Sequence, residues 1–218
     1  KKETENPNYI DVLTGKARRV YDTPDKGILW GWEVSAYVFT KAIAAGAFLI
    51  PFIAILLGHE VSNTAKLWSA GISLVGLALT GLFLVKDLDR PDRFLNVLLR
   101  PQWNSWLVKG GYTITVFGLL VTIWGVNTWF DLGIPEIPLL WVTAVFAVLL
   151  AIYTAFLFAQ AKGRDFWQSP TLPLHMLVHS VMAGVAIFVL ASLIFGNEGW
   201  MSILEMTLIV ALAVHLFS

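Results

Sequence analysis

Six apolar runs, each about 20 residues long, decide what this sequence can fold into. They fall at about 33–57, 66–86, 105–126, 138–160, 172–195 and 200–218. A helix of about 20 residues spans the hydrocarbon core of a bilayer, and in lipid every backbone polar group has to be satisfied within the segment. The sequence therefore predicts an all-α, polytopic transmembrane bundle. Only 14% of the residues are charged, against about 25% in soluble domains. The mean hydropathy of +0.70 leaves more apolar surface than one interior can hold, so the surplus is assigned to lipid. Ten Trp suit a protein with two water–lipid interfaces. The last run is still apolar over 211–218, where the sequence stops, and the chain reads as part of a longer one.

Composition also removes whole classes of function. A formal net charge of zero offers no general attraction for nucleic acid. Cysteine is absent, which excludes disulfides, thiolate zinc sites and iron–sulfur clusters ligated by this chain. Any electrons that pass here reach metal centres on a partner.

Short connections make consecutive helices antiparallel neighbours. One membrane face then holds residues 1–29, read as a surface arm, with loops 87–104 and 161–171. The other holds 58–65, 127–137 and 196–199. The first face carries nearly all the Lys and Arg, among them Arg90, Arg93 and Arg100, and the positive-inside rule places it in the cytoplasm. It also carries Asp87, Asp89 and Asp92. Mixed charge of this kind also suits a protein-docking face.

Ionisable groups inside a span cost about 2.5–3.5 kcal/mol at the helix centre and mark functional candidates. Glu33, Tyr37 and Lys41 recur at i, i+4 and i+8 and form one stripe, with Lys41 about 12 Å along the axis from Glu33. The stripe is read as a polar cavity or proton path, with Lys41 paired or snorkelled for structure as the alternative. His175 and His179 share a face at i and i+4. Two histidines on one helix cannot ligate opposite sides of one haem, which would need a second helix through His215. The pair is read as a proton relay, as cavity lining or as polar contacts between helices, a relay that could run through Lys41, His175, His179 and Glu205, and neither haem nor metal is expected. Tyr153 lies about two turns inside the charged face, deeper than a belt residue needs. Its hydroxyl can donate to a carbonyl oxygen, as a quinone site requires beside a proton source. Tyr37, Asp87, Asp89, Ser105 and Tyr153 all fall near one face of the first four helices. A faint internal echo links Tyr37, Lys41 and Ala45-Gly46 with His175, His179 and Ala183-Gly184 at the same spacing.

Several segments together carry a family resemblance. Trp30-Gly31-Trp32, Tyr37 and Ala44-Ala45-Gly46 are similar to a first core helix. Asp87-Leu88-Asp89-Arg90-Pro91-Asp92-Arg93-Phe94 matches a D-L-x-R-P-x-R-F loop. Pro101 to Trp106 stands in the place of a P-x-S-x-x-W stretch, and Tyr153-Thr154-Ala155 through Phe166-Trp167-Gln168-Ser169-Pro170 resembles Y-T-G…W-x-S-P. The protein resembles the NrfD/PsrC family, the membrane subunits of polysulfide reductase-like complexes. The resemblance implies an eight-helix core of two four-helix bundles, the first at 30–160 and the start of the second at 161–218. It implies a quinone or quinol (menaquinone or ubiquinone) held in the first bundle by Tyr153 and Tyr37, with Asp87 and Ser105 near it. Val34 stands where a family member has an Asn. Protons would move by Glu33, Lys41, Asp89, His175, His179 and Glu205. A ferredoxin-like iron–sulfur subunit would dock on Arg90, Asp92, Arg93, Arg100 and Trp167. A molybdopterin-type catalytic subunit or multihaem cytochrome, other membrane subunits and lipid would complete the surroundings. The expected location is a prokaryotic cytoplasmic membrane, with the docking face extracytoplasmic by resemblance and cytoplasmic by the charge count. The alternative is a proton or ion pathway, or an anchor, without its own redox site.

Overall fold

The computed structural model describes residues 31–87, 101–103, 105–160, 169–195 and 202–217. Six helices lie among them: α1 (Trp32–Leu56), α2 (Asn63–Asp87), α3 (Trp106–Phe130), α4 (Glu136–Ala159), α5 (Leu172–Phe195) and α6 (Ser202–Phe217). The described residues are helical apart from turns and short connections. Helices α1 to α5 are long and apolar enough to cross a membrane. The sixth run forms a shorter helix than its apolar length predicts, with 16 helical residues, and falls below that length. The arm 1–29 and most of the loop 87–104 lie outside the described residues.

Polarity is distributed inside-out. Lys41, Thr40, Ser69, Ser73, Thr80, Thr143, Thr154 and Ser180 are buried, while Val75, Leu82, Leu119, Val145 and Ile209 face outward. Lipid-facing surface needs no polar groups, and buried hydroxyls join helices to each other. The apolar centre is built on Phe48, whose ring meets Phe117 at 5.9 Å and Trp124 at 5.3 Å, both edge to face.

Helix α1 packs against α2, α4 and α5; α2 packs on α3 and α3 on α4, so α1 to α4 close a ring. Helix α5 sits against α1 and α4, with α6 on α5. Local chemistry explains why α1 survives its own proline. Pro51 lacks the N–H that would bond the Ala47 carbonyl. The buried Ser69 hydroxyl of α2 donates to that oxygen at 2.8 Å instead. Ser73 donates to the Ala44 carbonyl at 2.9 Å, and Thr40 and Thr80 share a hydrogen bond at 2.9 Å. Helix α1 ends in a Schellman motif. Gly58 has a φ of 83° and donates to Ile55 O, and His59 N–H reaches back to Ala54 O. Ser62 then caps α2 by accepting from Ala65 N–H at 3.1 Å.

Two further ties hold the membrane face opposite the charged loops. Asn127 donates to Ile134 O and accepts from Ile134 N–H, closing the α3–α4 turn. Glu136 at the start of α4 takes an ion pair from Lys66 of α2 at 2.8 Å and the indole N–H of the fully buried Trp124 at 3.2 Å.

The echo in the sequence has a spatial counterpart. Gly46 and Gly184 meet where α1 crosses α5. A Cβ on Gly46 would stand 1.9 Å from Ser180 O, and one on Gly184 would stand 2.4 Å from Gly46 O. Small residues permit such backbone contact between membrane helices. Tyr37 and Lys41 therefore precede this crossing at the same intervals as His175 and His179.

Candidate functional site

The ring of α1 to α4 brings Tyr37, Lys41 and Tyr153 together. All three are essentially inaccessible to solvent. Lys41 sits on α1 and reaches across to α4, where its ammonium donates to Ala151 O at 2.9 Å and to the Thr154 hydroxyl. Those bonds use two of its three donors. The ammonium also stands 4.9 Å from the centroid of the Tyr153 ring. Tyr37 lies within electrostatic reach of Tyr153.

Tyr153 is held from the other side by α3. Gly110 packs against its ring so closely that a Cβ there would be 2.3 Å from Cε2 and 2.6 Å from Cδ2. The ring is therefore seated on bare backbone. Its hydroxyl is buried and has no hydrogen-bond partner among the described residues. A buried polar group left this way costs about 1–3 kcal/mol. Such an orphan donor, beside a cation and an aromatic wall, fits a ligand carbonyl. Val34 is buried on the same helix as Tyr37.

The stripe read from the sequence divides. Glu33 turns towards Lys86, 3.5 Å away at the end of α2, and Lys86 also lies 4.3 Å from the Trp32 ring. Tyr37 and Lys41 turn into the bundle. Ser105 is half-buried just before α3, five residues and so about 7–8 Å outward from Gly110. Asp87 is the last residue of α2. Asp89, Arg90, Asp92, Arg93, Arg100 and Trp167 lie outside the described residues. Gly110 was not among the sequence candidates; the Gly110-Gly111 pair inside an apolar run was the available signal.

A second cluster forms on α5 and α6. The His175 ring centroid is 4.5 Å from that of His179 and 4.5 Å from that of His215, and His179 and His215 are 4.9 Å apart. Glu205 does not join them. It is exposed in the first turn of α6, ten residues and so about 15 Å along the axis from His215.

The family model for polysulphide reductase, NrfD, matches residues 23–218. This chain belongs to the NrfD family. Among curated proteins, an NrfD homolog of Haemophilus influenzae is 24% identical over 207 residues, covering 81% of this chain and 62% of that protein. A polysulfide reductase polypeptide of Wolinella succinogenes is 26% identical, covering 77% and 59%. NrfD of Escherichia coli is 24% identical, covering 76% and 60%. The chain thus spans 59–62% of the length of these NrfD-family relatives. Family and apolar helices together make it a multi-pass integral membrane protein.

Proposed function

We propose that this protein is the quinone-reactive membrane subunit of a respiratory oxidoreductase complex. It exchanges electrons between an iron–sulfur partner and the quinone pool. One observation carries the reading: the Tyr153 hydroxyl is buried, unpartnered among the described residues, and set beside the Lys41 cation. A membrane-embedded donor of this kind gains most from an acceptor that arrives through lipid, and a quinone carbonyl is such an acceptor.

Tyr153 and Tyr37 would hold the headgroup, with Gly110 fixing the Tyr153 ring. A quinone bound here supplies two-electron, two-proton redox chemistry. Lys41 places positive charge beside the ring that positions the hydroxyl, and its third N–H is available to hold or pass a proton. Thr154 and Ala151 O keep that ammonium in place. The names of two relatives support an assembly role. One is the polysulfide reductase polypeptide of Wolinella succinogenes; the other is a putative membrane subunit of dimethyl sulfoxide reductase from Halobacterium salinarum, 22% identical. A catalytic subunit and an iron–sulfur subunit are the proposed partners.

The test is Tyr153→Phe, which removes one oxygen and keeps the ring. Quinone-dependent turnover of the purified complex should fall about 100-fold, as when one preorganised donor is lost. The set of co-purifying subunits should not change, and quinone extracted from the wild-type complex should be depleted in the variant. Full turnover with normal assembly would refute the assignment and favour an ion pathway or anchor without a redox site.

A further inference from the structure

Lys41 and Tyr153 lie within α1 to α4, and that reading leaves the three histidines of α5 and α6 unused. We infer that His175, His179 and His215 form a binding site for a divalent transition-metal cation of borderline softness, with Zn2+ as the reference ion. Each residue offers one ring nitrogen, and these three atoms lie within 4.8 Å of one another.

The spacing has a chemical logic. His175 and His179 stand at i and i+4, which places both rings on one helix face, the arrangement that helical zinc sites use for two ligands. The third imidazole comes from the antiparallel neighbour α6, so an ion here would join α5 to α6. Three nitrogens about 2.0–2.1 Å from a tetrahedral Zn2+ stand roughly 3.4 Å from each other. The observed spread closes to that value by rotating the rings, a soft torsion in histidine. Imidazole is the donor that suits Zn, Cu and Ni ions rather than Mg or Ca. Three protein ligands leave the fourth position open. The ring separations leave no room for a macrocycle between any two of them, which disfavours haem. His179 is exposed and the other two are half-buried. No carboxylate is among the three ligands, so the bound dication would draw an anion or water to its open position.

The experiment uses the complex purified with an affinity tag that contains no histidine, stripped with chelator and titrated with Zn2+ and then Co2+. The wild type should bind one Zn2+ per polypeptide above the amount retained by His179→Ala. It should also show the intense visible bands of tetrahedral Co2+. His179→Ala and His215→Ala should each weaken binding by at least about 100-fold, more than loss of an outer-shell partner. His59→Ala, in the exposed loop after α1, should bind like the wild type. His179 is exposed, so its alanine variant is not at risk of failing to fold. Wild-type protein that takes up no Zn2+, or histidine variants that bind within about threefold of it, would overturn the site.

Discussion

The seat of the Tyr153 ring can be tested without touching the tyrosine. Gly110→Ala adds one methyl group on α3. The new Cβ would meet Cε2 at 2.3 Å, Cδ2 at 2.6 Å and Cζ at 3.0 Å. The ring has to retreat by about 1.1 Å before the closest pair reaches the 3.4 Å at which ordinary contact begins. Lys41, 4.9 Å from the ring centroid, limits the space into which it can move. Overpacking of this kind costs about 1–3 kcal/mol, which a helical bundle in a membrane survives. A displacement of about 1 Å at a reacting group costs about 100-fold in rate. Quinone-dependent turnover of the Gly110→Ala complex should therefore fall about 100-fold while the set of assembled subunits stays constant. Gly71→Ala supplies the control, because a Cβ there has nothing within 4 Å. A second comparison isolates the route. If Gly110 acts through Tyr153, the double variant Gly110→Ala/Tyr153→Phe is no slower than Tyr153→Phe alone, since coupled residues are non-additive. Gly110→Ala turning over at the wild-type rate would refute the geometry. A double variant slower than either single one by the product of their effects would refute the shared route.

Two more expectations follow from the packing. Gly46→Ala drives a methyl group to 1.9 Å from a backbone oxygen of α5, which cannot rotate away; the loss should be about 3 kcal/mol or more, read as a lower unfolding midpoint in detergent. Lys41→Met keeps the length of the side chain but removes its donors and charge; assembly should persist while turnover falls about 100-fold, the usual contribution of a positioned proton donor, and an unchanged rate would assign Lys41 a structural role only.

Helix positions were legible because the bilayer imposes a length, and apolar runs of that length have few other uses. The burial of Tyr153 was legible because it lies deeper than an interface requires. The partners of these residues were not. Lys41 bonds to Ala151 and Thr154, more than a hundred positions away, and nothing in the i, i+4 pattern of Glu33, Tyr37 and Lys41 specifies that. The same pattern does not specify that Glu33 lies 3.5 Å from Lys86 at the end of α2. The replacement of the missing Pro51 N–H by the Ser69 hydroxyl depends on a neighbouring helix. Gly110 carried no periodic signal, since its role is the absence of a side chain beside one particular ring.

The meeting of Gly46 and Gly184 has a consequence for anything that must stay separated. A contact too tight for a methyl group is also too tight for a water molecule, whose radius is about 1.4 Å. At that level no file of water runs between α1 and α5. The crossing is a dry seal that lies five residues beyond Lys41 on one helix and five residues beyond His179 on the other. A proton that leaves either cluster for the opposite membrane face cannot follow water along that seam and has to pass by another route.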